Sequence, residues 1–199
     1  MQRAEGAFTV TVYAGSRRKM PAAYAEIARE LGSALAEHGW VLVYGGANIG
    51  LMGVCADAAL EAGGEVHGVI LDTFSRVAHQ KIHALEVVDN MRARKAGLAH
   101  RGDAFVALPG GFGTLEELTE ILVERQLSHH QKPLVLVSPD GFWDPLLAQF
   151  ERMVVDGLLK REYLGLMTVV PNATGAIAAI EKSAGAGEAG PNPAGVAGA

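Results

Sequence analysis

Apolar residues in this chain fall into two kinds of run that alternate along it. Short stretches rich in β-branched and aromatic residues, at 8–14, 40–44, 66–71, 85–88, 104–108, 133–137 and 166–170, predict strands. Between them, apolar positions recur at helical spacing, as with Ala25, Ala28, Leu31 and Leu35 inside 21–38. Further helices are predicted over 51–62, 91–100, 114–127, 143–156 and 173–182. Glycines stop several of them, at Gly39, Gly63 and Gly157, and Asn90 is placed to cap the helix that follows it. Residues 72–85 have few apolar anchors and read as a mobile loop beside the site.

Strands buried on both faces and separated by helices indicate an α/β protein. The expected architecture is a Rossmann-like three-layer domain, with a mostly parallel central sheet and helices on both faces. It fills 1–183 as a single domain. Residues 184–199 contain only Gly, Ala, Pro, Asn, Glu and Val, too little apolar surface to offset ordering entropy, and are expected to be a disordered tail.

Charge narrows the range of partners. Seventeen Lys and Arg against 22 Asp and Glu give a formal net charge of −5, which does not supply the broad basic face that wraps nucleic acid. Local clusters, Arg17-Arg18-Lys19 and Arg92 to Lys95, suit one small anion. The single cysteine, Cys55, leaves no intrachain disulfide and reads as a small buried helix residue. No run approaches the ~20 apolar residues of a membrane span. A reducing cytoplasm is the expected setting, with neither membrane nor nucleic acid as partner.

The glycine-rich loop Pro109-Gly110-Gly111-Phe112-Gly113-Thr114-Leu115-Glu116-Glu117 follows a strand and opens a helix. Glycines there let an anion approach backbone N–H groups, and a helix start offers unpaired N–H groups with partial positive charge. Neither the dinucleotide pattern nor the triphosphate-binding loop is present. On residues alone the loop also reads as a tight strand-to-helix turn whose Thr114 and Glu117 form a capping box. A second glycine-rich stretch, 45–53, either admits a ribose or base edge or packs a helix on the sheet. In Met91-Arg92-Ala93-Arg94-Lys95, Arg94 shares a helix face with Met91 but not with Arg92, and one arginine aimed inward would meet a phosphate or Glu117. His79 and His83 stand four apart without a metal-binding pattern, and His129-His130 reads as surface. No metal is expected.

Together these pieces resemble the LOG-type ("lonely guy") phosphoribohydrolases, a family once labelled lysine decarboxylases. The family's P-G-G-x-G-T-x-x-E motif stands complete at 109–117, with its arginine-lysine motif at 91–95. Gly15-Ser16, Tyr44-Gly45-Gly46, Gly50-Leu51-Met52-Gly53 and 141–147 also match, and the resemblance covers roughly 8–180. It implies hydrolysis of the N-glycosidic bond of N6-substituted adenosine 5'-monophosphates or AMP, without a cofactor, in a homodimer or larger assembly. It makes Glu117 and Arg94 catalytic. It assigns substrate binding to Gly15, Ser16, Gly45, Gly46, Gly53, Met91, Lys95, Gly110, Gly111, Gly113 and Thr114. Arg92 and Ala93 depart from the histidine and glutamate that many members carry there. The contrasting reading is a non-catalytic carrier of a nucleotide or of molybdenum cofactor.

Overall fold

The computed structural model describes residues 6–185, so the 184–199 tail lies almost wholly outside the described residues. Among these, the strands form one parallel sheet. They are β1 (Thr9–Tyr13), β2 (Val41–Tyr44), β3 (Val66–Leu71), β4 (Ala84–Val88), β5 (Ala104–Ala107), β6 (Leu134–Val137) and β7 (Thr168–Val170). Their spatial order is β4-β3-β2-β1-β5-β6-β7. The helices are α1 (Ala22–Glu37), α2 (Gly50–Glu61), α3 (Met91–Arg101), α4 (Phe112–Gln126), α5 (Asp144–Val155) and α6 (Ala173–Gly185).

Period-two alternation sends each strand's side chains to two cores. Val10, Val12, Leu42, Tyr44, Val106 and Val135 meet α1, α2 and α6 on one face. Tyr13, Val43, Val69, Phe105 and Leu136 meet Leu98 of α3, Leu118 and Ile121 of α4, and Trp143 on the other. Three layers result. On the first face α1 and α2 approach so closely that a side chain at Gly32 would strike the Cys55 carbonyl. Cys55 itself is buried, and burial pushes its thiol up to about 12.

The order reverses between β1 and β5, so the crossovers diverge there and leave a crevice beyond the strands' C-terminal ends. Gly15 N–H donates to the Pro109 carbonyl across that crevice at 3.0 Å. Residues 72–85 are more regular than a mobile loop. They contain a 3-10 helix, Asp72–Val77, and Ala78, which pairs with Ala47 in an antiparallel bridge. The stretch 161–166, partly read as strand, is also 3-10, which shortens β7.

Candidate active site

A cleft of about 780 Å³ opens at this crevice. The turn after β1 supplies Gly15, Ser16, Arg17 and Lys19, the turn after β2 supplies Gly45, Ala47 and Ile49, and the loop after β5 supplies residues 109–114. Met91 and Arg94 of α3 and Glu117 of α4 complete the floor.

Helix α4 starts three residues earlier than the capping-box pattern implies. Phe112 is its first residue and Gly111 its N-cap, with no side chain capping the end. Thr114 therefore lies inside the first turn, only 4% exposed, and its side chain occupies the space that a side chain at Gly110 would need. Leu115 N–H reaches the Gly111 carbonyl at 3.0 Å, which leaves the preceding first-turn N–H groups without intrahelical acceptors. At Gly111 and Gly113 an added methyl would meet no protein atom within 4 Å. That open side, facing a helix start, suits an anion's oxygens.

Freed from capping, Glu117 turns to α3. Its Oε1 accepts from Arg94 Nη1 at 2.7 Å, with the two side chains 8% and 12% exposed. Arg94 is held at its other edge, where Nε donates to the Val69 carbonyl at 3.1 Å. Its root is set by Asn90, whose side chain caps α3 by accepting from Ala93 N–H at 2.8 Å. Burial raises the Glu117 carboxyl above the usual carboxylate value, and Arg94 opposes that rise without cancelling it. Burial, followed by the charges of Glu117 and Glu120, keeps the neighbouring Tyr13 phenol protonated.

Gly45 makes room for this pair. A side chain there would collide with the Arg94 guanidinium and, at 2.8 Å, with Met52 Sδ. Gly46 has φ +77°, and a side chain there would press on Ile70 and Leu85. Gly53 packs against the Asn48 backbone. So Gly46 and Gly53 shape the turn after β2 without lining the cleft. Lys95 does not line it either: one residue on from Arg94, it projects away and pairs with Glu116 at 3.0 Å and Glu120 at 3.4 Å.

Sequence reasoning missed the apolar wall. Ile49, Ile70, Phe74, Val77 and Phe142 line the cleft, and Phe112 stands at its mouth. Phe112 is 92% exposed and Phe74 55%. An aromatic between glycines at a helix start was the available signal for Phe112. His130, read as a surface residue, instead lies half-buried against the Phe105 ring, and desolvation lowers its pKa. His79 is buried and bonded to Asp57. Among the described residues no group of three or more His, Cys, Asp or Glu is placed to hold a metal, and no helix is long and apolar enough to cross a membrane.

A family model described as "possible lysine decarboxylase" matches residues 52–180. The chain is 42% identical over 175 residues to the cytokinin riboside 5'-monophosphate phosphoribohydrolase of Rhodococcoides fascians, covering 86% of this chain and 88% of that one. It is 39% identical to the corresponding enzyme LOG of Oryza sativa, covering 87% and 72%. Among solved structures, the molybdenum cofactor carrier protein of Chlamydomonas reinhardtii is similar in fold, with a TM-score of 0.69 at 26% identity, covering 90% and 99%.

Proposed function

The chain belongs to the cytokinin riboside 5'-monophosphate phosphoribohydrolase family, and from that membership we propose how its cleft performs the reaction. The protein is a hydrolase that cleaves the N-glycosidic bond of N6-substituted adenosine 5'-monophosphates. We add AMP as a substrate and assign the roles residue by residue.

The observation that carries the assignment is the buried Arg94–Glu117 pair beneath the open start of α4. The 5'-phosphate sits against the first-turn N–H groups, on the open side of Gly111 and Gly113. Arg17 and Lys19 at the rim add positive charge. That anchors the ribose over Glu117, and the base lies along the apolar wall of Ile49, Phe74 and Val77. Gly15, Ser16, Gly45 and Met91 line the space between.

As the bond from the anomeric carbon to the base nitrogen breaks, its electron pair leaves with the base and positive charge grows on the ribose. The Glu117 carboxylate stabilises that charge and orients a water toward the anomeric carbon. The water's hydroxyl completes ribose 5-phosphate, and its proton ends on the departing base. Arg94 keeps the carboxylate ionised and aimed. Remote phosphate binding positions the scissile bond, which is where such binding energy acts on rate.

Incubation with N6-isopentenyl-adenosine monophosphate and with AMP should release free base and ribose 5-phosphate, quantified by chromatography. Absence of both products would favour a carrier. The pH dependence has a definite sign. The working form of Glu117 is ionised, and burial raises its pKa from an ordinary 4.5. The acidic limb of kcat/KM, which reports the free enzyme, should therefore fall at a pH above that value. A limb at or below it would contradict the role.

We also propose a homodimer. Helix α5 has no fully buried residue, and Val123, Leu127, Val155 and Leu158 expose between half and four-fifths of their surface around α4 and α5. A second copy is the partner that best covers this face. Sedimentation equilibrium should give twice the chain mass; a monomer at micromolar concentration would refute it. The free, buried thiol of Cys55 suits a reducing cytoplasm.

A further inference from the structure

The His79 ring does not line the cleft but is held at both of its nitrogens. It is 4% exposed. Lys81 N–H donates to Nδ1 at 3.2 Å. A backbone amide can only donate, so Nδ1 is the unprotonated nitrogen and Nε2 carries the hydrogen. Nε2 donates it to Asp57 Oδ1 on α2 at 3.1 Å.

This ring sits at the end of a backbone ladder that leads to the catalytic pair. Asn48 N–H donates to the Val77 carbonyl at 2.8 Å, and His79 N–H donates to the Gly46 carbonyl at 2.9 Å. These two bonds flank the bridge between Ala47 and Ala78. The segment ending at His79 thus fixes the turn after β2, whose first residue is Gly45, the shelf under the Arg94 guanidinium. The same segment carries Phe74 and Val77 of the cleft wall. The 3-10 helix Asp72–Val77 buries none of its own residues, and Val77 is the residue of it that packs on a small core cluster, of Ala47, Ile70 and Ala78. The His79–Asp57 bond supplies a side-chain anchor where it rejoins the fold.

We propose that His79 is a positioning residue for the hydrolysis. Through its bond to Asp57 it ties the cleft-wall segment to α2, and through Gly46 it holds the shelf that sets the Arg94 guanidinium against Glu117. The inference rests on the reading of Glu117 and Arg94 as the catalytic pair.

Two single variants test the tie from opposite ends. In His79→Asn the shorter amide still accepts from Lys81 N–H, as in an Asx turn, but cannot reach Asp57. Asp57→Ala removes the other end from a side chain that is 52% exposed, so the fold is retained. Each should lower kcat/KM roughly tenfold, as small misplacements of catalytic groups do. The double variant should be no worse than either single one.

The acidic limb should also move to higher pH in all three, because a displaced Arg94 opposes the burial of Glu117 less. The other groups facing Glu117, which are Glu116 and Glu120 of α4 and Tyr13 of β1, are untouched. Loss of the Asp57 charge by itself would move the limb the other way. An unmoved limb, wild-type kcat/KM in Asp57→Ala, or losses that multiply in the double variant would each overturn the inference. Glu117→Gln is assayed alongside. If it is active, the catalytic reading falls and takes this inference with it. If it is inactive while His79→Asn and Asp57→Ala behave as wild type, only the role of His79 falls.

Discussion

Glu117→Gln is expected to bind nucleotide with nearly unchanged affinity and to lose about a thousandfold in kcat. The amide is isosteric with the carboxylate and can still accept from Arg94, so the 2.7 Å contact and the floor of the cleft survive. The negative charge does not. In the ground state that charge faces a neutral ribose, so its loss costs little binding. In the transition state it faces a developing cation, and an opposite charge on a side chain only 8% exposed acts more strongly than it would in water. The loss should therefore appear in kcat and kcat/KM together, with KM little changed. Single-turnover release of base, measured beside equilibrium binding of AMP, separates these quantities. A variant with more than a tenth of wild-type kcat would remove Glu117 from the mechanism.

Arg94→Met should damage both activity and stability, and the second effect should depend on pH. Removing one partner of a buried pair leaves an uncompensated charge and typically costs about 3–5 kcal/mol. Here that charge is the Glu117 carboxylate, already raised by burial and now without its opposing cation. A carboxyl whose folded pKa lies above its unfolded value favours the folded state below the unfolded pKa. That contribution is lost as pH rises through the folded pKa. The variant's deficit relative to wild type should thus be small near pH 4 and grow toward neutrality, as read from urea midpoints across that range. A deficit independent of pH would mean that the methionine merely packs badly. Arg94→Lys should recover part of the stability and little activity, since an ammonium cannot donate to both Glu117 and the Val69 carbonyl in the same plane.

The three-layer architecture was legible because alternation within strands and helical spacing between them are local signals, and the sheet buries both faces. Glu117 and Arg94 were legible for a different reason, since they sit in motifs dense enough to mark a family. Where local pattern misled, tertiary contacts decided. Thr114 and Glu117 have the spacing of a capping box, but any residues three apart inside a helix have that spacing too, and Gly111 ends the turn earlier. Lys95 follows Arg94 in the motif, yet about 100° of helical rotation sends it to Glu116 and Glu120. Gly46 and Gly53 carry the family's glycines without touching the cleft, because close packing around the turn after β2 demands the same residue that ligand approach would. The wall formed by Phe74, Val77 and Phe142 had no signature, as it joins residues far apart in the chain.

The short 3-10 helix between β3 and β4 carries a consequence for how such enzymes diverge. In the proposed mechanism the catalytic pair is rooted in α3 and α4, which pack on the sheet through Leu98, Leu118 and Ile121. Phe74 and Val77 hang on six residues, none of them buried. In the proposed binding mode, selection can therefore rewrite the surface that meets the base while leaving the Arg94–Glu117 pair under its own constraint. Substrate range becomes a separately heritable property, and exchanging this one segment between homologues is the shortest route to a changed preference for the base's substituent.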